Sequence, residues 1–120
     1  MDDSNSVNVV DYKTGKPKSR NAIEGNTKNE GGNYKRQLVF YRLLLDKAGK
    51  YKMVSGDIDF IEADEKGKFH KEHFIIEPEE TVELEKKIIE VSNEIQNLAF
   101  WDKFCDDPKC KYCALRKMLI

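Results

Sequence analysis

The chain has 120 residues, of which 39% are hydrophobic and 36% charged, with a formal net charge of -1. That length suits one domain with a modest core, and the balanced charge carries no global basicity that would point to nucleic acid. No apolar run approaches the ~20 residues of a membrane span. The polar, acidic start carries no secretory signal, and three cysteines, an odd number, do not suggest a disulfide framework. A reduced, cytoplasmic setting is therefore the default. Ser6 to Tyr12 reads as a short strand, because Val7, Val9 and Val10 are β-branched. Thr14 to Asn33 is a long polar stretch punctuated by Gly15, Pro17, Gly25, Gly31 and Gly32, expected to be functional or mobile. Its first part is locally basic, with Lys13, Lys16, Lys18 and Arg20 against one acid, Asp11. Such a loop suits a phosphodiester, although a solvated basic loop is the plain alternative.

Tyr34 to Lys47 follows, and its leucines and the stop at Ala48-Gly49 favour a helix. Lys52 to Glu62 reads as a strand, with Gly56 marking a bulge or bend. Asp64 to Gly67 is a turn, and Phe69 to Glu77 returns as the second arm of a hairpin. Pro78 opens a helix whose first turn carries Glu79 and Glu80, where the helix dipole favours negative charge. Leu84, Ile88, Val91, Ile95 and Leu98 form one apolar stripe along it. The tail from Phe100 to Ile120 is aromatic and carries all three cysteines.

Asp11 and Lys13 are two apart at the end of the first strand, so period-two geometry puts both side chains on one face. A carboxylate there can ligate Mg2+ or Mn2+ through oxygen. A neighbouring lysine can orient the attacking water or stabilise charge on a phosphate. Asp-x-Lys alone is a weak signal, since surface strands carry it often. Its context is more specific. Val9-Val10-Asp11-Tyr12-Lys13-Thr14-Gly15-Lys16 resembles the motif of the PD-(D/E)XK nuclease superfamily, in its RecB-like branch at the C-terminus of UvrD-, RecB- and AddAB-type helicases. Gln37-Leu38-Val39-Phe40-Tyr41 resembles that branch's Gln-x-x-x-Tyr motif, and a helix puts Gln37 and Tyr41 on one face.

The resemblance implies a restriction-endonuclease-like α/β (α+β) fold, with a mixed sheet flanked by helices. It implies that Asp11 is a metal ligand, that Lys13 is the catalytic lysine, and that Gln37, Tyr41 and Lys16 position DNA. Residues 1–100 would be the C-terminal portion of the nuclease domain and 101–120 a cysteine-containing tail. The partners implied are DNA and the helicase motor domains of the same parent, with no membrane. The Asp11 strand would lie centrally, with the Gln37 helix and the long C-terminal helix packed on the sheet.

The departures matter as much. The family takes another metal-binding Asp from Gly-x-x-Asp about a dozen residues upstream, and a Glu or His on an earlier helix. Only ten residues precede Asp11, and Asp2 and Asp3 lack that context. The domain is therefore expected to be truncated at its N-terminus, with little or no nuclease activity alone. The alternative is a non-catalytic DNA-binding or protein-interaction module derived from this fold. A strand edge left open could also support a dimer. Gly56-Asp57-Ile58-Asp59 imitates the missing motif, but reads better as a hairpin strand with polar outward positions. His70 and His73, three apart on a strand, point to opposite faces and read as ordinary.

In the tail, Cys105, Cys110 and Cys113 include one Cys-x-x-Cys pair, which can chelate a metal through thiolates. The resemblance implies a 4Fe-4S staple there. The position of its last cysteine is Leu119, and the family's upstream cysteine has no counterpart. A degenerate tail with free thiols is the other expectation.

Overall fold

The computed structural model describes residues 3–27 and 31–119, so Asp2 lies outside the described residues. The chain divides into two compact units, residues 1–86 and 87–120. The first holds a three-stranded sheet in the order β1 (Ser6–Lys13), β2 (Lys52–Phe60), β3 (Lys71–Ile75). β1 and β2 run parallel, with Asp11 opposite Ile58, and β2 and β3 form the expected antiparallel arms, with Asp57 opposite His73. The parallel pairing requires a crossover, which α1 (Arg20–Glu24) and α2 (Asn33–Ala48) provide. This is the mixed α+β architecture expected, a sheet flanked by helices.

β1 is not central. Among the described residues it pairs only with β2, so β2 is the middle strand and β1 an edge. The β-branched run of β1 speaks for a strand with a buried face: Val7 and Val9 pack against the core, while Tyr12, on the opposite face, is 67% exposed. The register slips between Val7 and Asn8. The bulge therefore falls there rather than at Gly56.

Gly56 has a different job. A Cβ at this position would lie 2.8 Å from Leu38 Cδ2 and 3.0 Å from the Met53 terminal methyl. The missing side chain lets α2 lie close against the sheet. The resulting core is Ile23, Leu38, Val39, Met53, Ile58, Phe60, Phe74 and Ile76, with Tyr34, Tyr41 and Leu84 partly buried against it.

The stretch from Thr14 to Asn33 is not structureless. Ser19 caps α1 by accepting a hydrogen bond from the Ala22 N–H, and Gly25 ends it in the left-handed region at φ 86°. One apolar residue, Ile23, anchors this short helix at 1% exposure. α3 (Pro78–Gln96) starts as anticipated, with Glu79 and Glu80 in its first turn. Of its apolar stripe only Leu84 joins the core; Ile88, Val91, Ile95 and Leu98 are exposed. An apolar stripe shows that a face can be buried, not how much of it is. The second unit continues through the aromatic segment at 100–104 to α4 (Lys111–Lys117).

Candidate active site

The C-terminal end of β1 carries Asp11 and Lys13 toward α2. Asp11 shares its register position with Ile58, a core residue, so its side chain leaves the sheet on the helix-covered side. The Asp11 Oδ2 accepts a hydrogen bond from the Tyr41 hydroxyl at 3.2 Å and is ion-paired with Lys13 Nζ at 3.2 Å. Lys13 Nζ also donates to Gln37 Oε1. The two sequence motifs thus converge on one partly buried group, in which strand and helix each supply two residues. Among the described residues both partners of Asp11 use the same oxygen, which leaves Oδ1 for a cation.

Burial pushes the Tyr41 phenol above its ordinary value, and the Asp11 charge and the hydrogen bond to it push the same way. Tyr41 therefore stays a neutral donor to Asp11 through any physiological pH.

One residue of this group is not evident in the sequence motifs. Tyr34, one turn before Gln37 on α2, presents its ring 4.5 Å from Lys13 Nζ and 4.7 Å from Lys18 Nζ, and leans on Phe60 at 6.2 Å between centroids. Tyr34, Gln37 and Tyr41 make a stripe at spacings of three and four. That spacing is the signal that could have found Tyr34. Lys16 is placed outside this group. It lines an open cleft of about 440 Å³ with Pro17, Asp64, Glu65 and Lys66.

Asp57 does not meet Asp11. It is aligned with Val10, one register position away, and so belongs to the other face of the sheet. It is 5% exposed, not an outward polar position on an ordinary strand. Asn8 Nδ2 donates to its Oδ2 at 3.0 Å, His73 Nδ1 bonds to its Oδ1, and Lys71 Nζ stands 3.5 Å away. Ser55 Oγ donates to Asn8 Oδ1 at 2.7 Å and completes a network across all three strands. Burial pushes the Asp57 carboxyl up, but hydrogen bonds from His73 and Asn8 and the charges of His73 and Lys71 outweigh it and hold it below the usual carboxylate range. His70, three residues before His73, is bonded separately to Asp64 at 2.7 Å, so the two histidines do not share a ligand.

In the second unit the three cysteines come together. The Sγ atoms of Cys105, Cys110 and Cys113 all lie within 4.8 Å of one another, with Cys105 and Cys113 3.4 Å apart. The backbone N–H of Cys105 donates to Cys113 Sγ at 3.2 Å, and that of Cys113 to Cys110 Sγ at 3.5 Å. Arg116 holds the approach segment in place, donating to the carbonyls of Phe100, at 2.7 Å, and Lys103, with Phe100 and Phe104 rings beside its guanidinium. The Cys113 N–H and the neighbouring thiols draw the Cys110 thiol below its ordinary value. Among the described residues no helix is long and apolar enough to cross a membrane.

The family model for the PD-(D/E)XK nuclease superfamily matches residues 1–118. No curated protein and no solved structure matches the chain.

Proposed function

The chain belongs to the PD-(D/E)XK nuclease superfamily, and from that premise we propose that Asp11 and Lys13 are its share of a metal-dependent DNA phosphodiesterase site. The single observation that supports this reading is the convergence of Asp11, Lys13, Gln37 and Tyr41 through direct hydrogen bonds and one ion pair. Superfamily membership alone would not require the last two to touch the first two.

In this reading Asp11 Oδ1 is the ligand oxygen for Mg2+ or Mn2+. A single carboxylate completed by water and substrate phosphate oxygens is an ordinary way to hold Mg2+, so the group fits a cation with one protein ligand from this chain. The ion would polarise the phosphate and lower the pKa of a bound water. Lys13 does the complementary work. Its ammonium is fixed between Asp11 and Gln37 and can follow charge as it develops on the phosphate. Gln37 fixes Lys13 and Tyr41 fixes Asp11, so both act on DNA through the residues they hold. Lys16, on its open cleft, would meet a flanking backbone phosphate.

The wider reading is a nuclease domain in an ATP-dependent helicase or recombination-repair protein. Its motor domains would be the partner, the cytoplasm its place, and further carboxylates would come from residues outside this group. It rests on the likeness of the Asp11 and Gln37 motifs to the RecB-like branch. A second reading, a non-catalytic DNA-binding or interaction module, is favoured by one specific observation: Asp57, one of the two β2 carboxylates a single register position from Asp11, is committed to Asn8 and His73 on the opposite face.

Cleavage of labelled single- and double-stranded DNA in Mg2+ and Mn2+ tests the proposal, with the isolated chain and a longer parent side by side. The isolated chain should cut poorly. Cleavage by the parent should fall about 10²–10⁴-fold in Lys13→Ala and disappear in Asp11→Ala. Tyr41→Phe should retain part of the rate. Cleavage indifferent to Asp11→Ala would refute the assignment, and DNA binding without cleavage by the parent would favour the second reading.

A further inference from the structure

A single zinc ion, not an iron–sulfur cluster, fits the tail. The thiols of Cys105, Cys110 and Cys113 form one triangle, with every Sγ within 4.8 Å of the others and Cys105 and Cys113 3.4 Å apart. Tetrahedral zinc binds thiolate sulfur at about 2.3 Å, which sets its sulfurs roughly 3.8 Å apart. That separation falls within the 4.8 Å limit of the triangle, and the Cys105–Cys113 edge is close to it. A 4Fe-4S cube makes a different demand, because each thiolate ends on its own iron at a separate corner. Its sulfurs must therefore spread wider than those sharing one ion. The cube also takes four protein thiolates, whereas this group contains three, and Leu119 stands at the position of the family's last cysteine.

We infer that Cys105, Cys110 and Cys113 form a three-thiolate site for one Zn2+ ion, with the fourth coordination position open to water or an incoming donor. Soft thiolates select this class of ion over Mg2+ or Ca2+. Two further features support the site independently of the spacing. Backbone N–H groups already point at two of the sulfurs, as outer-shell donors do around bound metal-thiolates. Arg116 ties the carbonyls of Phe100 and Lys103 to α4. That clasp delivers Cys105 to the Cys110–Cys113 pair before any ion is present, so less ordering remains to be done on binding. The inference does not depend on the nuclease reading.

The full chain, purified anaerobically without chelator, should carry one zinc per molecule by elemental analysis. Replacing it with Co2+ should give the intense visible bands of tetrahedral coordination together with thiolate-to-cobalt charge transfer in the near ultraviolet. Cys113→Ser should weaken zinc binding by more than ~10-fold, the least lost even with an outer-shell partner. Cys105→Ser, at an exposed position, should do the same with its circular dichroism unchanged. Either variant suffices if the other fails to fold. A brown protein with acid-labile sulfide would overturn the inference in favour of a cluster. Zinc affinity no better than that of the triple Cys→Ser variant would overturn it in favour of free thiols.

Discussion

Asp57 shows at the scale of one residue how a buried charge is tolerated. Its carboxylate is almost fully enclosed, yet Asn8, His73 and Lys71 all approach it. Its folded pKa lies below the ordinary value. The stability it contributes is therefore fully present above the unfolded carboxylate pKa and is lost as pH falls through the lowered folded value. Acid titration of unfolding by circular dichroism should show that decline below about pH 4, near the unfolded value. Asp57→Asn should flatten it and cost roughly 1–3 kcal/mol at neutral pH, because His73 and Lys71 lose their charged partner. An unchanged acid limb would show that other carboxylates carry it. The pair Asp11–Lys13 was legible in the sequence because period two alone puts both on one face. Asp57 was not: an alternating strand tells which side a residue takes, while its burial depends on side chains from β1 and β3 that no local pattern reveals. Tyr34 could be placed on the Gln37–Tyr41 face by spacing, but its contacts with Lys13 and Lys18 are distant in sequence and had no local signal.

At the scale of the element, α2 does two things with one surface. Leu38 and Val39 bury against the sheet, while Tyr34, Gln37 and Tyr41 reach the end of β1. Its distance from the sheet is set by Gly56, where an added Cβ would meet both Leu38 and Met53. Gly56→Ala should therefore destabilise the fold by about 1–3 kcal/mol, the usual cost of overpacking. It should also lift Gln37 and Tyr41 from their partners. Chemical denaturation gives the first effect, and loss of Lys13-dependent cleavage in the parent gives the second. A neutral Gly56→Ala would mean that Leu38 re-packs freely. The bounds of α2, α3 and the hairpin were readable to within a residue or two from periodicity and capping, while the short helices α1 and α4 carried no such signal. The edge position of β1 was not, since a strand's own sequence shows which face is buried but not which of its edges is paired.

For the whole molecule, the side of β1 left unpaired among the described residues is the feature with the widest consequence. An unpaired edge presents a row of backbone donors and acceptors to any other strand. Self-association through this edge is the expected outcome, and static light scattering over a concentration series should report a dimer. A chain that stays monomeric at the highest concentration removes that expectation. The sequence offered the idea of an open edge only through its likeness to a larger fold. Pairing on one side alone is a property of three-dimensional assembly.

The crossover between β1 and β2 also has a kinetic side. Asp11 and Lys13 lie before it, Gln37 and Tyr41 within it, and the strand that holds β1 in place comes after it. The Asp11–Tyr41 and Lys13–Gln37 contacts cannot form until the helix within that crossover has folded back on β1, a step whose entropy must be spent before its contacts are gained. The constellation should thus emerge late in folding, all at once. Mutations at the Asp11–Tyr41 contact should then speed unfolding far more than they slow refolding.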